Sequence, residues 1–255
     1  MKHRSIFISD IHLGSGNAKA EELLDFLKKN ECERLYLVGD IIDGWKVIQN
    51  KWRWSKSHTK VIQYLLKLSL AGNTQITYIT GNHDEFLRNI VPHEIGIGSM
   101  SLTNRAVHIA ADGKKYLVIH GDMFDGIIKI SRWLEFTGDH MYDFVLWLNK
   151  YFNRLRRIMG MEYWSLSAWL KFRIKKAVSY VLEFEQNLAA YCKRKGYDGC
   201  ICGHIHHPEI REIDGVMYMN DGDWVESCSA LVENFNGKFE LVFWHERVLQ
   251  ALGDR

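Results

Sequence analysis

The sequence predicts an α/β fold interrupted by a long helical insertion. Three observations carry that expectation. Short apolar runs alternate with amphipathic stretches in the order β-α-β-α-β. Several of the apolar runs end in a cluster of Asp, His, Asn and Gly. One segment, 127–194, has helical periodicity and no strand signal.

The elements follow in order. Ser5–Ser9 reads as a buried strand running into Asp10, and 18–30 as a helix. Arg34–Val38 is a second strand, ending in Gly39-Asp40, and Lys56–Leu70 a second helix. Gln75–Thr80 runs into Gly81-Asn82-His83-Asp84. Tyr116–Ile119 leads into His120-Gly121-Asp122, and Gly199–Cys202 into Gly203-His204-Ile205-His206. Each reads as a strand followed by a loop, and in open α/β sheets such loops gather on one rim. Val216–Asn220, Ser229–Asn234 and Lys238–Trp244 alternate differently, and Asn236-Gly237 signals a hairpin. These three read as an antiparallel second sheet edge. Within 127–194, Met141, Phe144, Val145, Leu148, Phe152, Leu155 and Met159 fall at helical spacing, as do Leu170, Ile174, Ala177, Val178, Val181 and Leu188.

Composition narrows the classes. With 255 residues, 47% of them hydrophobic, the chain can form one elaborated domain, 1–255, with the insertion as a cap. A net charge of +2 gives no whole-protein case for nucleic acid. The first ten residues read as a strand, too quickly ended by charge for a signal peptide. No apolar run reaches the ~20 residues of a membrane span. Five cysteines without framework spacing suggest reduced thiols in a cytoplasmic protein. Cys200 and Cys202 can be read as a two-Cys metal site, but buried small hydrophobes fit them better.

The chemistry lies in the five strand-end clusters. Any one His or Asp there can be explained as a turn cap or a satisfied core group. Five clusters in this order point instead to a metal centre. Carboxylate, imidazole and amide oxygen together suit Mn²⁺, Fe or Zn²⁺. Asp10 and His12, two residues apart at a strand end, can point to one side as a chelating pair, and His204 and His206 follow the same logic. Asp40 is the natural bridge, because its two oxygens can serve two cations.

Asp-x-His, Gly-Asp, Gly-Asn-His-Asp, His-Gly-Asp and Gly-His-x-His in this order resemble the calcineurin-like metallophosphoesterases. That resemblance implies a four-layer αββα sandwich and two divalent ions, with Mn²⁺ the first choice. One ion would take Asp10, His12, Asp40 and His206; the other Asp40, Asn82, His120 and His204. His83, paired with Asp84, would meet the phosphate beside Asn82 and protonate the leaving oxygen. More narrowly, Gly39-Asp40-Ile41-Ile42-Asp43-Gly44-Trp45 and Asp223-Trp224-Val225-Glu226-Ser227 are similar to segments of bacterial UDP-2,3-diacylglucosamine hydrolases. Those enzymes cleave a pyrophosphate in lipid A assembly and release UMP. Well-studied members carry Arg where this chain has His83.

The insertion concentrates Lys129, Arg132, Lys150, Arg154, Arg156, Arg157, Lys171, Arg173, Lys175 and Lys176 with Trp133, Trp147, Trp164 and Trp169. Such helices suit acyl chains and anionic headgroups, or pack on the core as an ordinary pair. With the family resemblance, Tyr142, Ser165, Ser167, Lys171 and Lys175 are the expected substrate contacts. The expected partners are a phosphate-containing substrate, in particular an acylated UDP-sugar, and an anionic membrane surface, at the inner face of which the protein would sit peripherally. The alternatives are a phosphoesterase for soluble nucleotides or sugar phosphates, and a non-catalytic scaffold. His3, His58, His93, His108, His140, His207 and His245 lack a chelating partner and read as surface or core.

Overall fold

The structure, a computed structural model, describes residues 1–49, 51–91, 96–124 and 166–244, without the side chains of residues 47 and 166–177. The chain divides into two compact units, Met1–Met123 with Asn187–Arg255, and Phe124–Gln186. The first contains the whole sandwich.

Its larger sheet holds seven strands in the order β12-β11-β1-β2-β3-β5-β4. The strands are β1 (Lys2–Ile8), β2 (Glu31–Val38), β3 (Gln75–Ile79), β4 (Gly96–Ile97), β5 (Met100–Thr103), β11 (Ser229–Glu233) and β12 (Phe239–Phe243). β1, β2, β3 and β5 are parallel. Helices α1 (Ala20–Lys29), the short α2 (Gly44–Ile48) and α3 (Lys56–Ala71) lie in the crossovers. The smaller sheet has the order β6-β7-β8-β10-β9, from β6 (Ala106–Ile109), β7 (Lys115–Val118), β8 (Gly199–Cys202), β9 (Glu209–Ile213) and β10 (Val216–Asn220).

Two apolar clusters make the layers. Phe7, Val38 and Ile79 of one sheet pack against Tyr116, Val118, Ile201 and Met219 of the other. On the far face of the larger sheet, Ile6, Ile8, Leu35, Leu37 and Ile76 pack on Leu23 and Phe26 of α1 and Val61 and Leu65 of α3. Strands buried on both faces read as near-continuous apolar runs, as β1 and β2 do. The last turns of α4 (Leu166–Lys195) bury Leu188, Ala189 and Cys192. Cys192, Cys200, Cys202 and Cys228 are thus buried and Cys32 is half-buried, all without disulfides.

Helix α3 begins at a reciprocal cap. Ser55 Oγ accepts from His58 N at 3.3 Å, and His58 Nδ1 accepts from Ser55 N at 3.4 Å. His58 Nδ1 also takes Gly14 N at 3.2 Å, tying the helix to the loop after β1. The Asn236-Gly237 signal marks the β11–β12 turn, where Asn234 N donates to Lys238 O and Gly237 has φ 80°.

The C-terminal strands correct one expectation. They do not form a single antiparallel edge. β10 lies parallel to β8 in the smaller sheet, whereas β11 crosses to pair antiparallel with β1. The cause is the segment between them, where buried Trp224 packs on Phe26 at 5.3 Å and carries the chain across to the larger sheet. The helices expected around Met141–Met159 lie outside the described residues.

Candidate metal centre

The parallel strands β1, β2, β3, β7 and β8 deliver their following loops to one rim. Five of the seven non-glycine residues with left-handed backbone among the described residues stand there: Asp10 (φ 49°), His12 (52°), Asp40 (54°), His204 (69°) and His206 (52°). Each such residue costs on the order of 1 kcal/mol, which surrounding structure must hold in place. Glycines make the space. A Cβ on Gly39 would strike the His120 ring, one on Gly81 the Asp40 carboxylate, and one on Gly203 both Ser9 and Asp10.

The Asp10–His12 proximity has a different origin from strand alternation. β1 ends at Ile8, and Ile11 is buried between two left-handed residues. His12 Nε2 lies 3.6 Å from Asp10 Oδ1. His204 and His206 do not form a pair on one side: His206 Nε2 sits 3.1 Å from Asp10 Oδ1, while the His204 ring lies against His120, centroids 5.0 Å apart. The left-handed turns and buried Ile205 separate them.

Both central carboxylates are held by one oxygen and present the other. Asp10 Oδ2 accepts from Ser9 Oγ at 2.6 Å and from His204 N at 2.8 Å. Its Oδ1 is buried without a hydrogen bond. Asp40 Oδ1 accepts from His83 N at 2.7 Å, and its Oδ2 is likewise buried without one. Around Asp40 Oδ2 stand His120 Nε2 at 3.4 Å, His83 Nε2 at 3.8 Å and His12 Nε2 at 3.9 Å. His120 Nδ1 donates to Val38 O at 2.9 Å, which turns Nε2 toward the cluster, 3.2 Å from Asn82 Oδ1. Two carboxylate oxygens without donors therefore face the cluster, at a depth where an unpaired carboxylate oxygen is costly. A cation resolves that arrangement, and the donor set fits divalent metals.

Electrostatics agree. Burial opposes ionisation of Asp10, but His206, His120 and His12 hold its carboxyl well below the usual range. Asp40 is lowered in the same way, chiefly by His120. Against burial, Asp40 and Asp10 push the His120 imidazole well above its ordinary value: the pair draws positive charge to itself. Among the described residues, three groups have ligand atoms mutually within 4.8 Å: Asp10-His12-His206, Asp10-Asp40-His120 and His12-Asp43-His83.

The expected His83–Asp84 pair does not form. Asp84 turns inward, where its carboxylate accepts from Ile41 N, Gly81 N and the Tyr78 hydroxyl and is pushed up by burial and by Asp40. It shapes the loop. The partner of His83 is Asp43, whose Oδ1 lies 2.9 Å from Nδ1. Asp43 stands in the segment compared with the diacylglucosamine hydrolases, and its carboxyl is lowered, against burial, by His83 and His12. Trp45 packs on the His83 ring at 4.1 Å. Ser9 and Asp221 were invisible as site residues. One hydroxyl proton cannot serve both carboxylates at 2.6 Å. Ser9 Oγ stands between the two, and burial pushes the Asp221 carboxyl well up, toward its protonated form.

Tyr142 and Ser165 lie outside the described residues. Ser167, Lys171 and Lys175 fall at four-residue intervals in α4, where only the backbone is described.

The calcineurin-like phosphoesterase profile matches residues 3–208, which include every cluster above. The chain belongs to that family. It is a metal-dependent hydrolase of phosphate esters or anhydrides. Among curated proteins it is similar to a UDP-2,3-diacylglucosamine hydrolase of Wigglesworthia glossinidia brevipalpis, 24% identical over 244 residues, covering 93% of each chain. The counterpart from Aliivibrio fischeri is 22% identical over 249 residues, covering 89% of this chain and 92% of that one. Among solved structures, a phosphoesterase of E. coli aligns with TM-score 0.46 and 14% identity, covering 94% of this chain and 98% of that one.

Proposed function

We propose that the protein hydrolyses the pyrophosphate of a UDP-2,3-diacylglucosamine-type glycolipid, a step of lipid A biosynthesis, and releases UMP. The observation that carries this is the pair of unbonded buried oxygens, Asp10 Oδ1 and Asp40 Oδ2, ringed by histidine nitrogens. It stands in a chain similar over most of its length to hydrolases named for that substrate.

Asp10, His12, Asp40 and His206 would hold one divalent ion, and Asp40, Asn82, His120 and His204 the other, with Mn²⁺ the preferred metal. When bound, two such ions clamp an in-line phosphoryl displacement and lower the pKa of a water between them. The chain's own groups do the rest. His120 keeps Nε2 toward the cluster because Nδ1 is bonded to Val38 O. Asp43 holds the Nδ1 proton of His83 and so turns Nε2 toward Asp40 Oδ2. A proton on that Nε2 is placed for the leaving oxygen. Asn82 would orient the phosphate beside it. The insertion would act as a cap, with Tyr142, Ser165, Ser167, Lys171 and Lys175 contacting the glycolipid, and would bring the enzyme to an anionic membrane surface.

The test is a Mn²⁺-supplemented assay on detergent-dispersed UDP-2,3-diacylglucosamine, scored for UMP. Release of UMP at a rate far above that on aryl phosphates is expected. Comparable turnover of generic aryl phosphates, with the glycolipid untouched, would contradict the assignment.

A further inference from the structure

Six basic residues and no acidic one lie between Asp43 and Asp84: Lys46, Lys51, Arg53, Lys56, Lys60 and Lys67. The whole chain carries only +2, so this stretch is a local concentration of charge. Among the described residues, Lys46, Lys51, Arg53 and Lys56 form no ion pair, and the last three are exposed.

Large apolar side chains share the same surface. Ile48 is 81% exposed, the highest value of any large hydrophobic among the described residues. Trp52, Trp54 and Phe86 are exposed as well. The two indoles stack, centroids 5.0 Å apart and planes within 7°. They are fixed in place: Trp52 lies on Gly14, Arg53 N donates to Gly14 O at 2.8 Å, and Trp54 Nε1 donates to Thr59 Oγ1 at 2.9 Å. Between Ile48, Trp52, Trp45 and Phe86 opens a cavity of about 680 Å³ that reaches His83.

We propose that the Lys46–Lys56 surface docks on an anionic lipid bilayer, with Ile48 and the Trp52–Trp54 pair entering the headgroup boundary. Indoles with an apolar body and a polar edge suit that depth, and lysines and arginines beside them meet the lipid phosphates. Stacked aromatics with cations also suit single-stranded nucleic acid. Ile48 and the apolar cavity have no counterpart in base stacking, and both match acyl chains. The surface differs in sequence from the insertion and holds whichever phosphate compound the metal centre hydrolyses.

The experiment is co-sedimentation of the full chain, without substrate, with vesicles of phosphatidylcholine alone or with phosphatidylglycerol. Binding to the anionic vesicles alone, weakening as salt rises, is expected. Lys51→Gln/Arg53→Gln/Lys56→Gln changes only exposed side chains and should weaken partitioning roughly a hundredfold at low salt. In wild type, vesicles should protect amides of 46–56 from hydrogen exchange. Wild-type-like binding by the triple variant, no protection of 46–56, or binding to oligo-dT without vesicle binding would each overturn the proposal. Because no substrate is present, failure here is separate from failure of the UMP assay.

Discussion

Two of the places where this protein buries carboxylates completely are built in opposite ways. Glu233 lies between the sheets with both oxygens fully paired. Arg4 Nη1 reaches them at 2.8 and 2.7 Å, and Ser5 Oγ, His108 Nε2 and Ala111 N each donate at 2.8 Å. At the rim, Asp10 and Asp40 each have one oxygen held and one left without a donor. The first is a closed network whose members satisfy one another. The second is an open one, in which strained backbone aims acceptors at a common point. Burial and charge alone do not separate structural from functional carboxylates. Between Glu233 and the Asp10–Asp40 pair, the count of donors does.

The comparison breaks most sharply at Asp40. Asp40→Ala removes the shared carboxylate. Phosphohydrolase activity should fall roughly a thousandfold or more, and elemental analysis should show lost metal while circular dichroism is unchanged. Activity retained within tenfold would mean that the open oxygens are not functional. His83→Ala should lower kcat by ~10²–10⁴ with metal content intact, as for loss of a general acid. Metal loss in that variant would make His83 a ligand instead.

Ser9→Ala removes a donor to Asp10 without touching any proposed ligand. Metal affinity, read by competition with a chelator, should weaken about 10–100-fold. Unchanged affinity would show that the Asp221–Ser9–Asp10 chain does not orient the ligand.

The smallest effect on catalysis belongs to Glu233→Gln. Activity per folded molecule should stay at wild type, while stability falls on the order of 2–4 kcal/mol. The sign of the pH dependence follows. Despite burial, hydrogen bonds from His108, Ser5, Ala111 and Arg4 lower the Glu233 carboxyl from 4.5 to about 2. Its contribution is present above about pH 4.5 and is lost as pH falls toward 2. Urea midpoints measured from pH 6 to 2.5 should therefore drop less steeply in the variant. Parallel profiles would remove Glu233 from the account of acid stability.

The sequence made the two sites unequally legible. The ligand clusters could be read because each is local: Asp10 with His12, Asp40 after Gly39, Asn82 after Gly81, His204 with His206. Gly39, Gly81 and Gly203 belong to the same short motifs because neighbouring side chains fill the space a Cβ would need. What could not be read was set by distance along the chain. Asp43 meets His83 across 40 residues, and Ser9 meets Asp221 across 212. Asp84 stands beside His83 in the sequence, and nothing local marks that Tyr78 and Ile41 claim its oxygens. The same limit applies to the strands. β11 is legible as a strand, but its partner β1 lies at the other end of the chain.

The central claim is that the open oxygens of Asp10 and Asp40 belong to a dinuclear metal centre. Its most direct test is elemental analysis of the protein after Mn²⁺ loading and gel filtration. Two ions per chain are predicted, falling to one or none in Asp40→Ala. A wild-type protein that retains no metal would contradict the account.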